Sequence, residues 1–249
     1  MTLLTVVLFG LVVGSFLNVV IARVPTGGSL LGPRSACPAC GAAIAWHDNI
    51  PVLSFAVLRG RCRSCAIRIR WRYPIVEALT AALFAGAYLK FGISVDFAAA
   101  AVLLAALVAL TAIDLEHQLL PDVITLPGIL TGVVANLASA NGSVVDSLLG
   151  IALGAGLFFA IIVASGGGMG GGDMKLGAML GAFMGWKVTL VAIFIAILGG
   201  GALAVTVLAA GRKGRKDPIP FGPFLALGGA VAMFWGQALI KWYVDGLLR

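Results

Sequence analysis

Two kinds of residue in this chain have the types and spacing to do chemistry. Cys37-Pro-Ala-Cys40 and Cys62-Arg-Ser-Cys65 are CxxC pairs. Two such pairs, separated by a loop of knuckle length, offer four thiolates to one tetrahedral ion, the spacing of structural zinc sites. Nearby arginines favour the deprotonated thiols. Four thiolates leave no position open for water, so this ion would fold a short polar segment rather than catalyse. The second kind is carboxylate. Asp114 lies in Ala112-Ile-Asp-Leu-Glu-His-Gln-Leu-Leu-Pro-Asp122 and Asp173 in Gly168-Met-Gly-Gly-Gly-Asp-Met-Lys175, each at the edge of a long apolar run. Ionisable residues in such places are costly and mark functional sites.

If the two acids meet, like-charge repulsion leaves them sharing one proton. One ionised and one neutral carboxyl group is the arrangement that activates water and protonates a scissile carbonyl in aspartic proteases. Asp173, at the start of a helix, is the candidate for the ionised partner. Two blander readings stand beside this one: Asp173 as an ordinary helix N-cap, and Asp114 in an ion pair with Lys175 or an arginine. Glu116, His117 and Asp122 are nearby reserves, with Asp122 the expected N-cap after Pro121. The glycine run contains a formal GxGxxG at Gly166, Gly168 and Gly171, but no strand precedes it and no Gly-Lys-Ser/Thr follows, so it is not a nucleotide fingerprint. It reads better as a loop without side chains, where an extended substrate backbone can approach Asp173.

The elements that must position these residues are membrane helices. Of 249 residues 61% are hydrophobic and 11% charged, with a mean hydropathy of +1.08, far from the roughly 25% charged of soluble domains. Eight apolar runs are expected to span: roughly Thr2 to Ala22, Pro74 to Lys90, Phe97 to Asp114, Asp122 to Ser139, Val145 to Ala164, Asp173 to Trp186, Val188 to Ala210 and Pro220 to Asp245. They are continuous rather than alternating, which excludes a barrel and gives an all-α polytopic membrane protein. The first run is long and is followed by Arg23, so it is expected to remain in the membrane rather than be cleaved as a signal.

With the N-terminus outside, segments 23–73, 115–121, 165–175 and 211–216 face the cytoplasm and hold 13 of the 17 Lys and Arg residues, as the positive-inside bias requires. The net charge of +7 then reflects a basic face against anionic headgroups and calls for no nucleic acid. The expected division is a first transmembrane helix at 1–22, a cytoplasmic tetracysteine zinc subdomain at 23–73, where disulfides would be rare, and a transmembrane bundle at 74–249. Both aspartates fall at the cytoplasmic boundary.

Together the motifs resemble the bifunctional type IV prepilin peptidases over nearly the whole chain. The matching stretches are Gly14-Ser-Phe-Leu-Asn-Val-Val-Ile21, Arg23-Val-Pro25, both CxxC pairs, Asn49-Ile-Pro-Val-Leu-Ser54, Arg72-Tyr-Pro74 with Glu77, Asp114 to Asp122, Gly170-Gly-Gly-Asp173 with Lys175, and Pro220-Phe-Gly-Pro223. The resemblance implies that Asp114 and Asp173 are the catalytic pair. It implies cleavage of a basic leader from prepilins or type II secretion pseudopilins at the inner membrane, after a glycine and before an apolar segment. It further implies N-methylation of the new amino terminus with S-adenosylmethionine in members carrying the cysteine subdomain. Gly170, Gly172 and Lys175 are expected to support the substrate or the loop. Gly14, Asn18, Arg70, Arg72 and Glu77 match motifs associated with the methyltransferase step, but are read ahead of cofactor binding as helix packing, headgroup contact and an internal ion pair. Gly171 departs from the bulky residue that many members carry between the two glycines. Rival readings from other classes are a proton- or cation-coupled transporter using the same acids and a non-catalytic assembly subunit.

Overall fold

The computed structural model describes residues 2–140, 142–164, 166, 170–210 and 220–247, apart from the side chains at 207 and 208. Gly168, the tetrad of basic residues at 212, 213, 215 and 216, and Arg249 therefore lie outside the described residues. The chain divides into two compact units, Met1–Phe97 and Ala98–Arg249.

In the first unit, α1 (Leu3–Arg23) packs antiparallel on α3 (Arg72–Phe91). The contact is made by glycines: a Cβ on Gly10 would lie 2.6 Å from the Ala81 Cα, and one on Gly14 2.6 Å from the Glu77 Cα. Missing side chains let the two backbones approach closely, the way membrane helices associate. Buried Asn18 bridges the same pair, its Nδ2 donating to the carbonyls of Gly14 and Tyr73. Between these helices the chain leaves regular structure at Pro25 and Gly27 and forms the cysteine module, which includes the short helix α2 (Leu53–Val57).

The second unit contains the body of α4 (Val95–His117) with α5 (Asp122–Ala138), α6 (Val144–Ala164), α7 (Gly171–Ala209) and α8 (Gly222–Leu247). Among the described residues six helices are long and apolar enough to cross a bilayer, and α5 is a shorter apolar one. The 39 residues of α7 are not one rod, because Gly185 breaks them with φ 71° and ψ 172°. The contacts show that the chain reverses there. Gly229 of α8 meets Leu180 on the first arm, whereas Gly236, Gly228 and Gly200 pair with Val188, Ala192 and Phe221 along the second. The second arm thus runs antiparallel to α8 and the first runs with it. Counting the two arms and α5 separately, the described residues hold eight apolar helical segments besides the short α2, where eight spanning runs are expected.

Glycines also set the seam between α6 and the first arm, where Gly150 meets Gly181 and Gly154 meets Gly177, and Ser147 Oγ donates to the Ala182 carbonyl at 2.9 Å. In that antiparallel register Asp173 is level with Phe158. Helix α6 continues six residues further, to Ala164, so its end stands about 9 Å beyond Asp173. The start of α7 is recessed.

Candidate active site and metal centre

Asp114 occupies the last turn of α4 and is buried. The helix closes behind it: the Gln118 N–H donates to the Asp114 carbonyl at 2.9 Å, and Gln118 adopts φ 54°, after which Leu119, Leu120 and Pro121 lead to α5. Leu120 is buried and turns inward between two glycines. A Cβ on Gly172 would lie 2.9 Å from the Leu120 Cβ, and one on Gly222 would lie 3.3 Å from its Cδ2. These glycines begin α7 and α8, so this leucine draws two helix N-termini against the end of α4.

The result is a pair of carboxyl groups at one end of the bundle. Asp173, the third residue of α7, is buried and lies within electrostatic reach of Asp114. The Asp114 carboxylate accepts a hydrogen bond from the backbone N–H of Gly222, where a Cβ would stand 2.6 Å from its Oδ2. Only glycine fits there. The Phe158 and Phe221 rings, 5.8 Å apart, line the same end. Two carboxyl groups, an amide donor and apolar walls in a recess can hold a water between the acids and exclude bulk solvent.

Several expectations change here. Helix α7 begins at Gly171, so Asp173 is inside its first turn rather than at the N-cap. Pro121 occupies the cap position of α5, and Asp122 instead pairs with Lys175, Nζ lying 2.6 and 2.7 Å from its two carboxylate oxygens. That correction removes Lys175 as a partner for Asp114. The pair is solvent-exposed and worth no more than about 1 kcal/mol; it joins the starts of α5 and α7 beside the dyad. The Gly170 carbonyl accepts the Asp173 N–H at 3.2 Å, while Glu116 and His117 are exposed. Sequence reasoning missed Gly222 and Leu120. The only available signal was Pro220-Phe-Gly-Pro223, a glycine at the first residue of a helix.

In the first unit the four cysteine Sγ atoms lie within 4.8 Å of one another, and none is disulfide-bonded. Each CxxC turn has the same build. The amide after the second cysteine bonds back to the first, from Gly41 to Cys37 and from Ala66 to Cys62, both at 2.9 Å. The residue there needs positive φ, supplied by Gly41 at 70° and by Ala66, with strain, at 56°. Backbone amides of Cys40 and Ala39 pull the Cys37 thiol down to about 6. Cys65 is pushed up to about 12: the Ile67 amide opposes this, but burial and hydrogen bonds from the other three cysteines outweigh it. Such crowded thiols do not all ionise without a cation. A tetrahedral ion with bonds of about 2.3 Å needs sulfurs about 3.8 Å apart, and Cys37 and Cys65 are separated by 3.8 Å. The donor set fits.

The residues expected to accompany methyl transfer lie in this unit. Gly14, Asn18 and Glu77 make the α1–α3 contact, the Arg72 guanidinium sits 5.1 Å over the Tyr73 ring, and Arg70 is exposed.

Comparison with known proteins assigns a family to each part of the chain. Residues 8–91 match the Bacterial Peptidase A24 N-terminal domain, and residues 101–205 match the Type IV leader peptidase family. A protein of Burkholderia pseudomallei (strain 1026b) named Prepilin leader peptidase/N-methyltransferase is 41% identical over 266 residues, covering 95% of this chain and 86% of its own length. Proteins of the same name in Pseudomonas aeruginosa and Bacillus subtilis (strain 168) are each 37% identical, over 97% and 95% of this chain and 93% and 96% of their own lengths. No solved structure matches.

Proposed function

The chain belongs to the type IV leader peptidase family, and from that premise we propose that Asp114 and Asp173 are the catalytic pair of its peptidase. The protein is a multi-pass inner-membrane prepilin leader peptidase and N-methyltransferase. The observation carrying the site is the meeting of three helix ends, which brings Asp114, Asp173 and the Gly222 amide together in one recess. The ionised carboxylate takes a proton from water as that water attacks the scissile carbonyl. The neutral carboxyl group gives its proton to the carbonyl oxygen. Collapse of the tetrahedral intermediate then transfers a proton to the leaving amine and returns the pair to its starting state. Gly222 holds Asp114 in place through its N–H, and the bare flank of Gly170 leaves room for an extended substrate strand, whereas Leu120 fills the space beside Gly172.

The substrate class is a prepilin or pseudopilin with a basic leader, cut at the cytoplasmic face after a glycine, with the N-terminus of the enzyme outside. The basic face of the enzyme repels such a leader, so the substrate's apolar helix supplies most of the affinity. The tetracysteine ion is zinc in this reading, held by Cys37, Cys40, Cys62 and Cys65. When bound, S-adenosylmethionine supplies an electrophilic methyl group for the new amino terminus. Gly14, Asn18 and Glu77 are already committed to the α1–α3 contact, which supports a scaffolding role for them rather than contact with the methyl donor.

The test is purified full-length protein in detergent with a synthetic prepilin and S-adenosylmethionine. Cleavage at the glycine and a methyl group on the product's new N-terminus are expected; intact substrate would overturn the reading. A finer probe is Gly222→Ala. Its Cβ must displace the Asp114 carboxylate, and a misplacement of that order is expected to lower kcat about 100-fold with KM nearly unchanged. Wild-type kcat in this variant would remove Gly222 from the site.

A further inference from the structure

Glu77 is a buried carboxylate inside a spanning helix that the dyad chemistry does not use. Its Oε2 accepts the backbone N–H of Val52 at 2.7 Å, and the Ser15 hydroxyl also bonds to it. Val52 pays for this contact in backbone geometry, with φ 59° and ψ −45°. That positive-φ conformation lies outside the αL basin and is an outlier for a β-branched residue, costing on the order of 1–3 kcal/mol. The interaction therefore fixes the segment around Val52 against α1 and α3 at a particular depth.

The depth follows from helix geometry. Glu77 is five residues beyond Arg72, the first residue of α3, so it lies about 7 Å along the axis, and Ser15 is about 12 Å from the Arg23 end of α1. The 20 residues of α3 give about 30 Å, no more than a bilayer's hydrocarbon thickness. A backbone tied to Glu77 is thus inside the membrane boundary. Helix α2 begins at the next residue. Ser54 faces inward and donates to the His47 carbonyl at 2.9 Å, while Leu53 and Val57, one turn apart on the other side, are 57% and 66% exposed. Ile50, also exposed, precedes them. In water these would be an apolar patch on a polar module; at that depth they have acyl chains to face. Trp71, its ring 4.9 Å from Phe55, and Trp46 are both exposed and suit the headgroup layer. Arg59, Arg61, Arg68 and Arg70 follow, also exposed, and suit anionic lipid.

We propose that residues 50–57 form an interfacial anchor, seated in the leaflet on the module's side with Leu53 and Val57 among the acyl chains, and that the Glu77–Val52 bond holds it there. Amphipathic segments lie at this depth, about 5–10 Å into the boundary.

The test places the photo-cross-linker benzoylphenylalanine at position 53, 57 or 31 of the full chain, reconstituted in vesicles containing phosphatidylglycerol. Leu31 is fully exposed on the polar part of the module and serves as the reference. Lipid adducts, read by mass, are expected about tenfold more often at 53 and 57 than at 31, the ratio one buried apolar side chain gives. Equal yields, or adducts to protein alone at 53 and 57, would overturn the anchor. Hydroxyl-radical footprinting of the unsubstituted chain in the same vesicles gives an independent answer. Leu53 and Val57 are expected to be protected while Leu31 is oxidised, and oxidation at the Leu31 rate would overturn the proposal as well.

Discussion

Asparagine at either Asp114 or Asp173 is expected to slow prepilin cleavage by about 10⁴-fold, the upper range for removing a positioned acid or base. Each substitution is nearly isosteric, so the packing that brings the three helix ends together survives. In Asp114→Asn the amide oxygen can still accept the Gly222 N–H, and Leu120 still fills the space against Gly172 and Gly222. What is lost is the exchangeable proton and the negative charge. The two single variants should therefore fall almost as far as the double, because neither carboxyl group works alone, and such non-additivity is the mark of residues acting as a unit. Kinetics on synthetic prepilin, with helical circular dichroism as the control, decide the matter: a correctly folded single variant cleaving within tenfold of wild type would exclude the pair.

Removing the proposed ion from the four thiolates is the other perturbation with a large expected effect. Structural zinc on four thiolates contributes roughly 10–16 kcal/mol of apparent binding energy, far more than a module of this size can gain from its own apolar packing. Chelation is expected to release one ion, expose four free thiols and open residues 24–71 to protease, with methyl transfer falling in parallel. Because the carboxyl pair is built wholly from the second unit, cleavage should decline much less than methylation. A module resisting protease equally well with and without chelator would show that the ion is dispensable. Equal loss of both activities would show that the peptidase also needs the folded module.

The sequence exposed whatever is written in one dimension. Apolar run length separated the crossings, even at the α7 reversal, where Trp186 and Val188 bracketed an expected boundary that lies at Gly185. Spacing alone gave the tetracysteine cluster, and the rarity of acids at the edges of spans singled out Asp114 and Asp173. Contacts between distant positions were not legible. Nothing near Asp122 says that it will find Lys175 rather than cap its own helix, since an acid after Pro121 satisfies either pattern. Gly222 looks like a turn residue until Asp114 is placed beside it, and Val52 gives no sign that its amide will be claimed by a carboxylate 25 residues away. A leucine among leucines, Leu120 carries no mark of its place between two helix starts.

The first arm of α7, residues 171 to 184 or fourteen in all, is about 21 Å long, against about 30 Å of hydrocarbon. Such hydrophobic mismatch is relieved by thinning the bilayer, at a fraction of a kcal/mol per Å, and the recess above Asp173 marks where the dimple forms. With the proposed catalytic pair at this level, water would reach the acids through a depression in the lipid as well as past protein, and a substrate would meet the leaflet's thinnest point at the proposed cleavage site. Bilayer thickness thereby becomes a variable of peptide hydrolysis in this reading, set by a helix that starts about 9 Å short of its neighbour's end.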